Sequence, residues 1–167
     1  VIEKLTLKRA VEFAIKTERL GAAFYSKLAA TFAGDSELKQ LLETLARDEE
    51  IHEAQFTRLR DELPADAALS DDDEEYLRAI AVAEIFHGGH AALDSASTAS
   101  SRDDVLARAF ELEKTTLLYY EAMRKVLGPS EVLDAVIQAE QRHLKQVARY
   151  MLTGAKMRGL VDEYLGS

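Results

Sequence analysis

LLETLARDEEIHEAQFTRL, residues 41–59, reads as a helix with two polar side chains where apolar ones belong. Leu41, Leu42, Leu45, Phe56 and Leu59 recur at the three- and four-residue spacing of one helical face, and Glu49 and His52 fall on that same stripe. Three positions apart on a helix, a carboxylate and an imidazole point the same way, so the pair can present an oxygen and a nitrogen to one ion. Working outward, Glu18 precedes Glu49 by 31 positions. The same pattern, a lone Glu followed by Glu-x-x-His, returns as Glu113, Glu140 and His143 with a spacing of 27. The second half of the chain repeats the first with a shorter link.

The rest of the sequence supplies helices to carry these residues. Leu7, Val11, Ala14, Ile15, Ala22, Tyr25, Leu28 and Phe32 mark a first helix ending near Ala33, and Gly34 with Asp35 gives a stop and a new cap. The second helix ends before Pro64. Ser70, with Asp73 three residues on, reads as a capping box opening a third stretch from about Glu74 to Leu93, weakened at its end by Gly88 and Gly89. Residues 94–104, rich in Ser, Ala and Asp, read as a loop. Leu106, Phe110, Glu113, Leu117, Tyr120 and Met123 form the next face, closed by Gly128 and Pro129. Val132, Val136, Ala139, Glu140, His143, Val147, Tyr150 and Met151 line the last, expected to stop near Gly154.

Link lengths then predict a topology. Links of a few residues make antiparallel hairpins of the first two and the last two long helices. The link between hairpins, about 40 residues from about Asp61 to Asp103, holds a helix of about 20 residues. Such a helix spans about 30 Å, enough to return along the bundle. The expected fold is all-α: a four-helix bundle over residues 1–154, two antiparallel hairpins joined by a long crossover containing an extra helix, and a C-terminal tail at 155–167.

Composition narrows the chemistry. There is no cysteine among the 167 residues, which excludes disulfides, zinc ribbons, iron–sulfur clusters and thiol nucleophiles and leaves oxygen and imidazole nitrogen as metal donors. The net charge of −9 argues against nucleic acid or an anionic membrane as a partner, and no apolar run reaches the length of a membrane span. No signal-peptide pattern opens the sequence, so the cytoplasm is the expected compartment. Against this plain background, four carboxylates on apolar stripes stand out. Burying one without a partner costs several kcal/mol, and four together would exceed the ~5–15 kcal/mol by which a domain is stable. The neighbouring stripe positions offer no Lys or Arg, whereas two divalent ions would neutralise four carboxylates beside two neutral imidazoles. Hard oxygen donors with a minority of imidazole suit iron or manganese, and adventitious zinc would accept the same set. A single Glu-x-x-His is common on exposed helices as a solvated pair; two copies at core positions, each preceded by a Glu on the hairpin partner, favour the metal.

Residues 14–25, AIKTERLGAAFY, together with DEEIHEAQF around Glu49 and His52, resemble the rubrerythrin branch of the ferritin-like superfamily, and the resemblance extends over nearly the whole chain apart from the tail. It implies a ferritin-like bundle with a two-iron centre in which Glu49 and Glu140 bridge the metals, Glu18 and His52 are terminal on one, and Glu113 and His143 on the other. It also implies reaction of iron with peroxide or dioxygen, as a peroxidase or ferroxidase, and assembly as a homodimer or larger. Two departures qualify this. Without cysteine the chain has no four-cysteine electron-feeding iron domain, so a peroxidase would need a separate electron-donor protein. Thr116 stands where such proteins carry an additional Glu one turn after the third ligand helix's Glu, which argues against fast peroxidase turnover. Iron sequestration with slow oxidation is the alternative, and a helical interaction module without catalysis is a third.

Further residues invite readings of their own. Tyr25 and Tyr120 each lie seven residues after a ligand Glu, so their hydroxyls would reach carboxylates of the opposite hairpin; the competing reading is an ordinary core tyrosine. Glu84, His87 and His90 form a third Glu-x-x-His with a neighbouring His, unduplicated, and read first as surface or interface and second as an accessory metal site. The run Asp71 to Glu75 reads as a charged helix start rather than a cation funnel. Leu160, Val161, Tyr164 and Leu165 make an apolar patch that reads first as packing back on the bundle and second as docking onto a partner subunit or shell.

Overall fold

The computed structural model describes residues 5–64, 68–81, 99 and 101–165, with side chains as far as 154. Five helices appear among them: α1 (Leu7–Thr31), α2 (Ser36–Glu62), α3 (Asp71–Ile80), α4 (Arg102–Leu127) and α5 (Glu131–Leu165). No strand occurs among the described residues beyond an isolated bridge of Thr6 with Ala68. None of these helices is long and apolar enough to cross a membrane.

The helix starts follow local chemistry. Thr6, Asp35, Ser70 and Ser101 are N-caps whose side-chain oxygens accept from the backbone N–H three residues on, satisfying donors a first turn leaves open. Ser70 also donates to Asp73 Oδ2 at 2.6 Å. The capping pair at Ser70 is thus present, but the helix begins at Asp71 rather than Glu74, and its first turn holds Asp71, Asp72, Asp73 and Glu74 against the positive end of the helix dipole. Residues 82–98, the rest of the expected third helix with Gly88, Gly89, Glu84, His87 and His90, lie outside the described residues. Between α4 and α5, Gly128 adopts φ +78°, a conformation costly for any residue with a Cβ, and its N–H bonds back to Arg124 O.

Two helix ends differ from expectation. α1 stops at Thr31, with Phe32 as its C-cap, so Gly34 lies beyond the helix instead of ending it. α5 runs through Gly154 to Leu165. A glycine inside a helix costs about 1 kcal/mol relative to alanine, and the next four residues, Ala155, Lys156, Met157 and Arg158, are good helix formers with no proline among them. That penalty weakens a helix without ending it. The expected junction at 154/155 therefore lies within α5, and the apolar residues near its end belong to the stretch whose side chains are not described.

α1 packs chiefly on α2 and α4 chiefly on α5, with α3 set against α4. Arg102, at the start of α4, reaches Asp35 and Glu37 at the start of α2, at 2.5 and 3.2 Å. The interior divides into two apolar clusters. One gathers Phe24, Leu28, Leu38, Leu42, Leu106 and Val147; the other Val11, Phe56, Leu77, Met123, Leu133 and Val136. The buried acids and histidines belong to neither.

Candidate metal centre

Glu18 comes from the middle of α1, Glu49 and His52 from α2, Glu113 from α4, and Glu140 and His143 from α5. All six are buried, none more than 5 % exposed. The structure brings all six together as two overlapping groups, Glu18, Glu49, His52 and Glu140 in one, and Glu49, Glu113, Glu140 and His143 in the other. Within each group one donor atom per residue lies within 4.8 Å of the others. Glu49 and Glu140 are shared. The two imidazole rings stack with centroids 5.6 Å apart.

Both histidines turn Nδ1 inward. His52 Nδ1 lies 2.9 Å from Glu140 Oε1, 3.3 Å from Glu49 Oε2 and 3.6 Å from Glu18 Oε2; His143 Nδ1 lies 3.3 Å from Glu113 Oε2 and 3.8 Å from Glu140 Oε2. Yet Glu18 Oε2, Glu113 Oε2, Glu140 Oε1 and His143 Nδ1 are fully buried and make no aligned hydrogen bond. Buried polar atoms normally find partners, so four orphans facing a common interior are the mark of a site for a cation.

The electrostatics say the same. Burial, then the charges of Glu18 and Glu140, push Glu49 well above the usual carboxylate range, and burial with the Glu140 charge pushes Glu113 up to about 8. Glu140 moves the other way: burial would raise it, but its contacts with His143 and His52 outweigh burial and lower it. Burial alone would depress the imidazoles; the carboxylates around them overturn that and raise His52 to about 9 and His143 to about 11. Without metal, the raised carboxyls and imidazoles favour their protonated forms. A metal ion would displace those protons, because ligation needs the deprotonated carboxylate and the neutral imidazole.

The tyrosines cross between the two helix pairs. Tyr25, on α1, donates to Glu113 Oε1 on α4, and Tyr120, on α4, donates to Glu18 Oε1 on α1. Burial and then the nearby carboxylates hold both phenols well above their ordinary range, so they remain protonated donors. Each fixes one oxygen of a carboxylate whose other oxygen has no partner.

Three features of the site escape the sequence reading. Asp48 Oδ2 lies 3.0 Å from His143 Nε2, an orienting contact of the kind that ligating histidines make. Its only sequence signal is adjacency to Glu49, in a run rich in charge. Thr116, noted only as a departure, is buried and places Oγ1 3.3 Å from Glu140 Oε2, while also reaching the carbonyls of Leu112 and Glu113 at 3.2 and 3.0 Å. Gly21 is buried against the side chain of Glu49, where an added Cβ would stand 3.5 Å from Cγ, an ordinary contact.

Comparison with known families gives a match to the rubrerythrin family over residues 9–99, more than half of the chain. That span includes Glu18, Glu49 and His52 and stops short of Glu113, Glu140 and His143, so the likeness expected over nearly the whole chain is shown for its first part, and the second triplet rests on geometry. Neither the curated proteins nor the solved structures contain a match. The duplicated acid and histidine pattern, the all-helical fold and this match lead to one conclusion: the chain belongs to the rubrerythrin family, whose domain is a ferritin-like di-iron carboxylate bundle.

Proposed function

We propose that this protein binds two iron ions between its helical hairpins and reacts them with peroxide or dioxygen, in the manner of a peroxidase or ferroxidase. The observation that carries the reading is the pair of buried donor groups sharing Glu49 and Glu140. Four carboxylates and two imidazoles fit two divalent ions in number, charge and donor type, and the orphaned oxygens supply lone pairs that no aligned hydrogen bond occupies. Glu18 and His52 would be terminal ligands at one position, Glu113 and His143 at the other, with Glu49 and Glu140 bridging. Bound iron would supply the electrons that reduce the oxygen substrate.

The chain's own residues hold and order that centre. Tyr25 and Tyr120 keep one oxygen of each terminal carboxylate occupied and direct the other inward. Asp48 fixes the ring of His143. The apolar clusters on either side exclude bulk water, so the carboxylates lack solvent as a competing partner. The architecture proposed around it is the ferritin-like one, two antiparallel hairpins with a long crossover. If the activity is peroxidase, an electron donor outside these 167 residues, which hold no cysteine, is proposed. A homodimer in the cytoplasm is the proposed state.

Thr116 favours a second reading. A hydroxyl in place of an additional carboxylate offers no extra ligand when the metals change oxidation state, which suits iron sequestration with one slow oxidation. Two measurements test these readings. Metal analysis after anaerobic iron loading should give about two irons per chain by ligand count, and Glu49→Ala, which removes a ligand from both positions, should lose most of both. A loaded wild type without transition metal would end the proposal. Stopped-flow mixing of the ferrous protein with peroxide should then show repeatable rapid turnover for an enzyme, or a single slow oxidation for a sequestering protein.

A further inference from the structure

We propose that the two metal positions are unequal by construction: the Glu113/His143 position is pre-organised and fills first, while the Glu18/His52 position is loosely held and exchanges its ion through an opening beside Gln55. This inequality rests on the two-metal reading above and concerns the order and strength of binding within it.

The internal repeat makes residues of the two halves equivalent. Glu18 corresponds to Glu113, Tyr25 to Tyr120, Glu49 to Glu140 and His52 to His143, and in each pair the chemistry is the same. Two further pairs break the symmetry. One residue before the bridging Glu stands Asp48 in the first half and Ala139 in the second; three residues after the terminal Glu stands Gly21 in the first and Thr116 in the second. Both differences favour the same position.

Asp48 accepts from His143 Nε2 at 3.0 Å, which keeps a proton on Nε2, so that when a metal ion displaces the other proton the Nδ1 lone pair is the one left facing Glu113 and Glu140. The mirror-related partner for His52 would be Ala139, which has nothing to offer. Among the described residues no group holds His52 Nε2. Its ring instead lines an opening of about 220 Å³ with Gln55, Ala139 and Arg142, where Gln55 Oε1 is itself buried without a partner. His52 is therefore oriented only by the carboxylates that would themselves bind the metal, whereas His143 is also held from its outer nitrogen by Asp48. The bridging carboxylates repeat the contrast. Thr116 puts its hydroxyl 3.3 Å from Glu140 Oε2, the oxygen on the His143 side, but Gly21 gives Glu49 no side chain to lean on.

Orienting partners of metal-bound histidines are worth about 10- to 100-fold in affinity, so the two steps should separate by about that factor. The test is titration of the metal-free chain with cobalt(II), followed by visible absorption and calorimetry. Wild type should bind two ions in resolved steps, with His143→Ala removing the tighter step and His52→Ala the weaker. Asp48→Ala, at a side chain 38 % exposed and so tolerant of truncation, should weaken the first step by about 10- to 100-fold and merge the two. Ala139→Asp, which installs the missing carboxylate opposite His52, should tighten the second step and leave the first unchanged, an effect that general loosening of the fold does not produce. Circular dichroism identifies any variant that fails to fold. Two equal steps in the wild type, or an Asp48→Ala chain that folds and keeps both steps in place, would overturn the inference with the two-metal reading intact. A wild type that takes up no cobalt overturns that reading instead.

Discussion

Leu42 and Glu49 sit two turns apart on α2 and are both buried, yet they ask opposite things of the bundle. The layer around Leu42, with Leu28, Leu38 and Leu106, stabilises the fold simply by leaving water, about 1.5–3 kcal/mol for each fully buried large side chain. The layer of Glu18, Glu49, Glu113 and Glu140 loses by the same act, several kcal/mol for each desolvated carboxylate, and recovers it only through a counter-charge. Apolar layers therefore hold the helices together, and the acidic waist between them specifies what the bundle encloses.

The largest expected effect that breaks this comparison comes from the apolar side. Leu42→Ala should lower stability by about 2–5 kcal/mol in urea unfolding, because the cavity adds to the lost transfer energy. It should do so equally in metal-free and metal-loaded protein, while the metal content per chain stays at the wild-type value. A change in metal content would show that the two layers are not separable.

Next in size is the hydroxyl of Tyr120, which belongs to both layers: its ring packs on Phe56 with centroids 4.9 Å apart, and its oxygen donates to Glu18. Tyr120→Phe keeps the ring and leaves Glu18 Oε1 buried without its donor, which costs about 1–3 kcal/mol. Because that oxygen is a carboxylate's, the loss should be largest in the metal-free chain and shrink when cobalt or iron is bound. Equal losses with and without metal would assign the tyrosine to packing alone.

How far the sequence announces each layer depends on where its signal resides. The six acids and histidines are legible because polar residues at helical core spacing are anomalous, and because the anomaly occurs twice. Tyr25 and Tyr120 are legible for the same reason, seven residues being two turns along one face. Asp48 is not, since its partner lies 95 positions away and its exposure matches that of an ordinary helical surface acid. Gly21 and Thr116 acquire meaning only from what the helix packed against each brings to them, Glu49 in one case and Glu140 in the other. The end of α5 shows a further limit: Gly154 looks like punctuation in the sequence, but no cap geometry accompanies it and the helix continues.

The most gradual effect separates the layers by pH. Glu113 is raised to about 8 and Glu49 is also raised, so above the ordinary carboxylate range the folded metal-free chain binds more protons than the unfolded one. His52 at about 9 and His143 at about 11 do the same above the ordinary imidazole range. All four contribute with one sign: their stabilisation is full at low pH and drains as pH rises through these values. Glu140, which is lowered, has the opposite sign but acts only as pH falls through and below the carboxylate range. The melting temperature of the metal-free protein should therefore fall steadily between about pH 6 and pH 9, and Glu113→Gln, which cannot ionise, should flatten the part of that fall below about pH 8. Bound metal should reverse the trend, because protons compete with it for the same ligands and that competition fades as pH rises. The buried tyrosines of the apolar layers are held above this range by burial, so a Leu42→Ala chain should show the same slope from a lower starting temperature; a different slope would mean that packing and charge in this bundle are coupled.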